Sequence, residues 1–147
     1  MLKRIHATAG AIALLTIAIF WLSTAVSELF ASVAAVTFVK TAIPWGFLLL
    51  IPALAAAGGS GFRLSKGRRG GLVGAKARRM PVIAANGLLV LVPSALFLAW
   101  KARQGMFDGP FYAVQALELL AGAFNIFLLG RNMRDGLQMR RAHLRRA

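Results

Sequence analysis

Four long runs of apolar residues, separated by short polar or basic stretches, set the pattern of the chain. Ala7 to Ser27 (ATAGAIALLTIAIFWLSTAVS) carries no charge, and neither does Pro81 to Trp100 (PVIAANGLLVLVPSALFLAW). Val36 to Ala57 holds Lys40 near its start, and Pro110 to Gly130 (PFYAVQALELLAGAFNIFLLG) holds Glu118. Each run has close to the ~20 residues that cross ~30 Å of hydrocarbon at ~1.5 Å per residue. Hydrocarbon supplies no hydrogen-bond partners, so a spanning segment must close its backbone bonds internally, as a helix does. The pattern predicts an all-α membrane protein, a four-transmembrane up-down helix bundle forming one domain over residues 1–147. Its helices are expected at about 6–28, 36–57, 81–101 and 110–131, with a basic loop at 58–80 and a basic tail at 132–147.

Composition strengthens this reading. At 147 residues, 59% hydrophobic and a mean hydropathy of +0.69, the chain has more apolar surface than a soluble domain of its size can bury. The absence of cysteine excludes disulfides, thiolate metal sites, iron–sulfur clusters and cysteine nucleophiles.

The charge, +14 from 18 Lys+Arg against 4 Asp+Glu, would point to nucleic acid in a soluble chain. Here 15 of the 18 cations fall in three places: Lys3 and Arg4, the loop Gly58 to Met80, and the tail after Gly130. Only Lys40, Lys101 and Arg103 fall elsewhere. Four spans put the three basic segments on one face, and the positive-inside bias makes that face cytoplasmic. Charge therefore orients the chain, with both termini inside a bacterial-type inner (plasma) membrane, and nucleic acid is not an expected partner. Ala25-Val26-Ser27 resembles a signal-peptide cleavage site, but the run before it is longer than the ~7–15 apolar residues of such peptides. A retained first span is the expectation.

The loop GGSGFRLSKGRRGGLVGAKARRM is glycine-rich but has neither G-x-x-x-x-G-K-[ST] nor G-x-G-x-x-G, and no strand precedes it. It reads as a flexible basic loop against anionic lipid headgroups, at about 1 kcal/mol per cation near the surface. In the tail RNMRDGLQMRRAHLRRA, Met133, Leu137 and Leu144 fall near one helical face. That spacing fits a short amphipathic segment on the membrane surface, with a frayed soluble end as the alternative.

Polar groups at membrane depth are costly and therefore informative. Gln115, Glu118, Gly122 and Asn125 are spaced three, four and three apart, one stripe of the fourth helix that must face protein. Glu118 is expected to be protonated or hydrogen-bonded there. The first span has a stripe of its own: His6, Gly10, Ala13, Ile17, Trp21, Thr24 and Glu28, whose small residues permit close helix approach. Lys40 and Glu28 are expected on the same outer side, as a pair. Asn86 is expected toward the cytoplasmic half, within reach of Asn125. In one reading these groups fasten helices; in another, Glu118 is a proton or cation site.

His6 opens the first span in LKRIHATAGAIALLTIAIFWLST. This segment resembles the first transmembrane helix of PepSY-associated membrane proteins and related small b-type cytochromes: a basic residue and His, a small-residue turn, then a long apolar run. The resemblance covers one helix of four. It implies haem b ligated by His6 and electron transfer in the membrane. Such a haem needs a second axial ligand: the other histidine is His143, in the tail, and a Met or the His6 of a second protomer are the alternatives. No spacing supports a zinc cluster, a Ser-His-Asp set or paired carboxylates on one face. The sequence thus favours a non-catalytic accessory or interaction component, a homo-oligomer or part of a larger membrane complex, over a haem protein using His6 and over a small proton-coupled transporter using Glu118.

Overall fold

The computed structural model describes residues 1–65, 67 and 70–144, and their side chains except those of 140 and 142–144. Expectations that rest on Lys66, Arg68, Arg69, Arg145 and Arg146, or on the side chains of Arg140, His143 and Leu144, lie outside the described residues and side chains. Four long helices account for nearly all of the rest: α1 (Leu2–Phe30), α2 (Val33–Ser65), α3 (Gly71–Arg103) and α4 (Gly109–Leu144). Each is long and apolar enough to cross a membrane.

The turns follow from local chemistry. Ala31 leaves α1 in an extended conformation, and Ser32 Oγ then accepts a 3.4 Å bond from Ala35 N–H, three residues on, as an N-cap does. Between α3 and α4, Gly105 takes a positive φ of 69° that few other residues tolerate. Asp108 caps α4 through Oδ1, which accepts from Phe111 N–H at 3.1 Å, and Pro110 sits in the first turn where no N–H is needed. Lys101 Nζ holds the same carboxylate.

The helices outrun the apolar runs. At 33 residues, α2 and α3 are each about 50 Å long, well beyond the ~30 Å of hydrocarbon. The segment read as a basic loop at 58–80 is therefore mostly helix: α2 continues to Ser65 and α3 begins at Gly71. Arg and Lys are good helix formers, so the end of an apolar run does not end a helix. Glycine there also has a packing reason. A Cβ at Gly61 would come within 3.1 Å of the His6 ring on α1. The tail likewise continues α4 through Gly130 and Gly136, with Met133 and Leu137 exposed.

Helix α2 runs uninterrupted past Pro44 and Pro52. In α3 a π turn, Gly87–Leu91, comes directly before Pro93. A regular turn would push the proline ring against the carbonyl four residues back, and the wider turn relieves that clash.

Helices α1 and α3 each pack against α2 and α4. Ala13, Ile17, Leu50, Ala53, Ile83 and Leu129 form one core, and Val36, Leu98, Ala102 and Phe111 a second toward the α3–α4 turn. On α4 the buried positions are Phe111, Gln115, Gly122, Asn125, Leu129, Asn132 and Asp135. With Glu118 between them they alternate four and three apart as far as Asn132, the spacing of a continuous packing seam. The stripe expected from Gln115 to Asn125 is thus part of a longer one.

Candidate functional site

The polar residues of the helices gather at three levels along the α4 seam. At the sparsely charged end, Lys40 is 1% exposed and its Nζ lies 2.6 Å from Glu118 Oε2. The ammonium also donates to Thr24 Oγ1 at 3.4 Å, and Gln115 Nε2 donates to the same Glu118 oxygen at 3.3 Å. Three helices thus supply one cluster: Thr24 from α1, Lys40 from α2, Gln115 and Glu118 from α4. The lysine reaches between helices whose backbones are not direct neighbours, which its four-carbon stem allows. The sequence pairing of Lys40 with Glu28 needs correction: the hydrogen-bonded partner is Glu118. Glu28 lies one turn beyond Thr24 on α1 and, among the described residues, makes no ion pair within 4 Å. The physical reason is position, since Glu118 sits on the inward seam of α4.

Two oxygens in this region are buried without a hydrogen-bond donor, Glu28 Oε1 and Gln115 Oε1. Below the cluster lies a cavity of about 50 Å³ lined by Phe20, Trp21, Thr24, Phe47 and Glu118 among others. It has room for water, and Glu118 is its charged wall.

At the middle level Asn86 Nδ2 donates to Asn125 Oδ1 and to Ala121 O, both at 2.9 Å, and Asn125 Nδ2 donates to Ile83 O at 3.3 Å. Asn86 immediately precedes the π turn, and Asn125 is 1% exposed. Nearby, Trp21 Nε1 donates to Leu119 O at 2.8 Å. Gly122 makes this approach possible, because a Cβ there would fall 2.9 Å from Trp21 Cδ1. Interhelical hydrogen bonds in membranes contribute about 0.6 kcal/mol each on average.

At the basic end His6 Nδ1 lies 3.0 Å from Ala57 O and 3.1 Å from Ser60 Oγ, while Nε2 lies 3.0 Å from Lys76 Nζ. This geometry assigns the proton to Nδ1, which donates to the carbonyl, and leaves Nε2 to accept from the lysine ammonium. Beside it Arg79 Nη1 pairs with Asp135 Oδ2 at 2.6 Å and donates to Asn132 Oδ1 at 3.2 Å. Neither nitrogen of His6 keeps a lone pair for iron in this arrangement, and a lysine ammonium occupies the direction of Nε2. In this arrangement the described residues therefore do not fit haem ligation by His6. Among the described residues no three His, Asp or Glu side chains gather as metal ligands.

Of the residues singled out from sequence, Asn86 and Asn125 meet each other, Gln115 meets Glu118, Glu118 meets Lys40, and His6 stands apart at the basic end. The Lys40–Glu118 pair was detectable in principle. One lone cation and one lone anion inside apolar runs each require a neutralising partner at membrane depth. The His6–Lys76 and Arg79–Asp135 contacts carried no such signal, because their segment read as loop. Comparison of the chain with known protein families, curated proteins and solved structures finds no match.

Proposed function

We propose that the protein is a multi-pass inner-membrane component of bacterial type, an up-down four-span bundle with both termini cytoplasmic, that acts by associating with other membrane helices and not by catalysis. The observation that carries this reading is how the polar side chains in the spans are used. Lys40 with Glu118, Asn86 with Asn125 and Trp21 with Leu119 O each fasten one helix to another. Fastened in this way, the bundle presents a stable outer surface. Within the most apolar window of each helix only 22–28% of residues are buried inside the chain. The remainder, with Phe38, Trp45, Leu48, Trp100 and Tyr112 among the exposed large side chains, faces lipid or another protein. Basic residues at one end suit anionic headgroups on the cytoplasmic leaflet.

Purification from native membranes in mild detergent, followed by mass determination of the protein–detergent complex, tests the association. A self-oligomer or a defined larger complex is expected; a monomer from both native membranes and overexpression refutes it. The absence of native cysteine makes orientation directly measurable. Ser32→Cys and Gln104→Cys should react with an impermeant thiol reagent on intact cells, and Leu72→Cys should react only after lysis. Labelling of Leu72→Cys on intact cells inverts the orientation.

A further inference from the structure

We propose that the Glu28–Lys40–Glu118 cluster is a proton-binding site, in which one proton from water is taken up on and released from the carboxylate of Glu28. The chain has four carboxylates, and three of them hold an ion pair: Asp108 with Lys101, Asp135 with Arg79 and Glu118 with Lys40. Among the described residues Glu28 is the one without such a partner, and its Oε1 is buried with no donor there. Gln115, 4% exposed, points its amide into the same cluster through the bond from Nε2 to Glu118, and its Oε1 also has no donor. Both unpartnered atoms are therefore acceptors. Two carboxylates against one ammonium sum to one negative charge. A donor and one positive charge are what this set of groups calls for, and a proton supplies both without further ligands.

The surroundings favour a proton over an alkali ion. The Lys40 ammonium, 2.6 Å from Glu118 and 3.4 Å from Thr24 Oγ1, occupies one oxygen of each and repels a metal ion. Glu28 lies one turn beyond Thr24 on α1, the residue that meets Lys40 of α2, and that ammonium is paired with Glu118 of α4. The same end of α3 brings Lys101, held by Asp108, and the exposed Arg103. Glu28 is only half-buried, two residues before the end of α1, so water reaches it from that end of the bundle. On the far side, Glu118 opens onto the cavity toward the interior.

Glu28 and Glu118 are the chain's only glutamates. The wild-type protein, labelled with ¹³C at the glutamate carboxyl and reconstituted in lipid nanodiscs, therefore gives two resonances to follow across the pH range in which it stays folded. The expected result is that one resonance titrates as a single proton per chain while the other stays fixed. Glu28→Gln should remove the moving signal; Glu118→Gln, the second route to assignment, should leave the Glu28 signal as the one that remains. Two fixed resonances, or movement of the Glu118 signal alone, overturn the proposal. Exchange of choline chloride for sodium chloride at constant pH should leave both signals in place. A sodium-dependent shift of the Glu28 signal overturns the proton in favour of an alkali ion.

Discussion

Replacement of Lys40 by Met provides the sharpest test of how the bundle is held together. The substitution keeps most of the unbranched apolar stem, one atom shorter, and removes the charge. At 2.6 Å the gross attraction between Lys40 and Glu118 is about 6 kcal/mol with an effective dielectric constant of ~20. The side chains are 1% and 12% exposed, so solvent screening does not reduce the pair to the small value of a surface ion pair. Most of that attraction offsets the desolvation of the two ions, and the net worth of the intact pair is small. Removal of one partner is different, because it leaves a buried charge uncompensated at a cost of about 3–5 kcal/mol. Lys40→Met leaves Glu118 without its cation and should fall within that range. Glu118→Gln leaves Lys40 with Glu28 in range and should cost less. The double variant Lys40→Met/Glu118→Leu removes the pair together and should recover most of the loss. Unfolding by SDS titration in mixed micelles, followed by far-UV circular dichroism, measures all three; Trp21 beside the Glu118 cavity gives a second, fluorescent probe. Single losses below about 1 kcal/mol that add in the double variant would show that the charges are solvated and the cluster is not a unit.

Other outcomes follow from the same contacts. Gly122→Ala should destabilise by about 1–3 kcal/mol through overpacking against Trp21, which its bond to Leu119 O holds in place, with a change in tryptophan emission. Unchanged stability and emission would mean that α1 and α4 do not approach closely there. Asn125→Leu should cost up to about 1.7 kcal/mol, and adding Asn86→Leu should cost less than Asn86→Leu does alone, since the two share one of their bonds; full additivity would separate them. The Lys101 ammonium and the Phe111 N–H hold the Asp108 carboxyl below its ordinary range. Its contribution to stability is therefore fully present above the unfolded value of about 3.9 and lost as pH falls through the lower folded one. Asp108→Asn should remove that acid-side loss, and an unaltered acid profile in thermal unfolding would refute it.

Much of the site was legible along the chain, for identifiable reasons. The Asn86–Asn125 contact follows from counting turns inward from the same face on α3 and α4, because depth in a membrane is a linear measure along a helix. The seam through Gln115, Glu118, Gly122 and Asn125 follows from the expense of polar groups against lipid, which forces them to one side. The glycine- and cation-rich stretch at 58–80 misled because composition was read as conformation. Glycine served there to admit the His6 ring beside Gly61, which is a property of a neighbouring helix.

Sequence alone therefore determined the properties that are local or one-dimensional: four long apolar helices, the clustering of cations in three segments, and the inward stripe of α4. Backbone hydrogen bonding, hydrophobic periodicity and charge counts act within a few turns, so they can be read in order. Only the tertiary structure decided which carboxylate receives Lys40, 78 residues away, and which groups surround His6, among them Lys76, 70 residues away. Such choices depend on which helices are neighbours and how each is rotated about its axis. They are settled by packing of small residues such as Gly46, Gly61 and Gly122 against the rings of Phe20, His6 and Trp21, and no single segment contains that information.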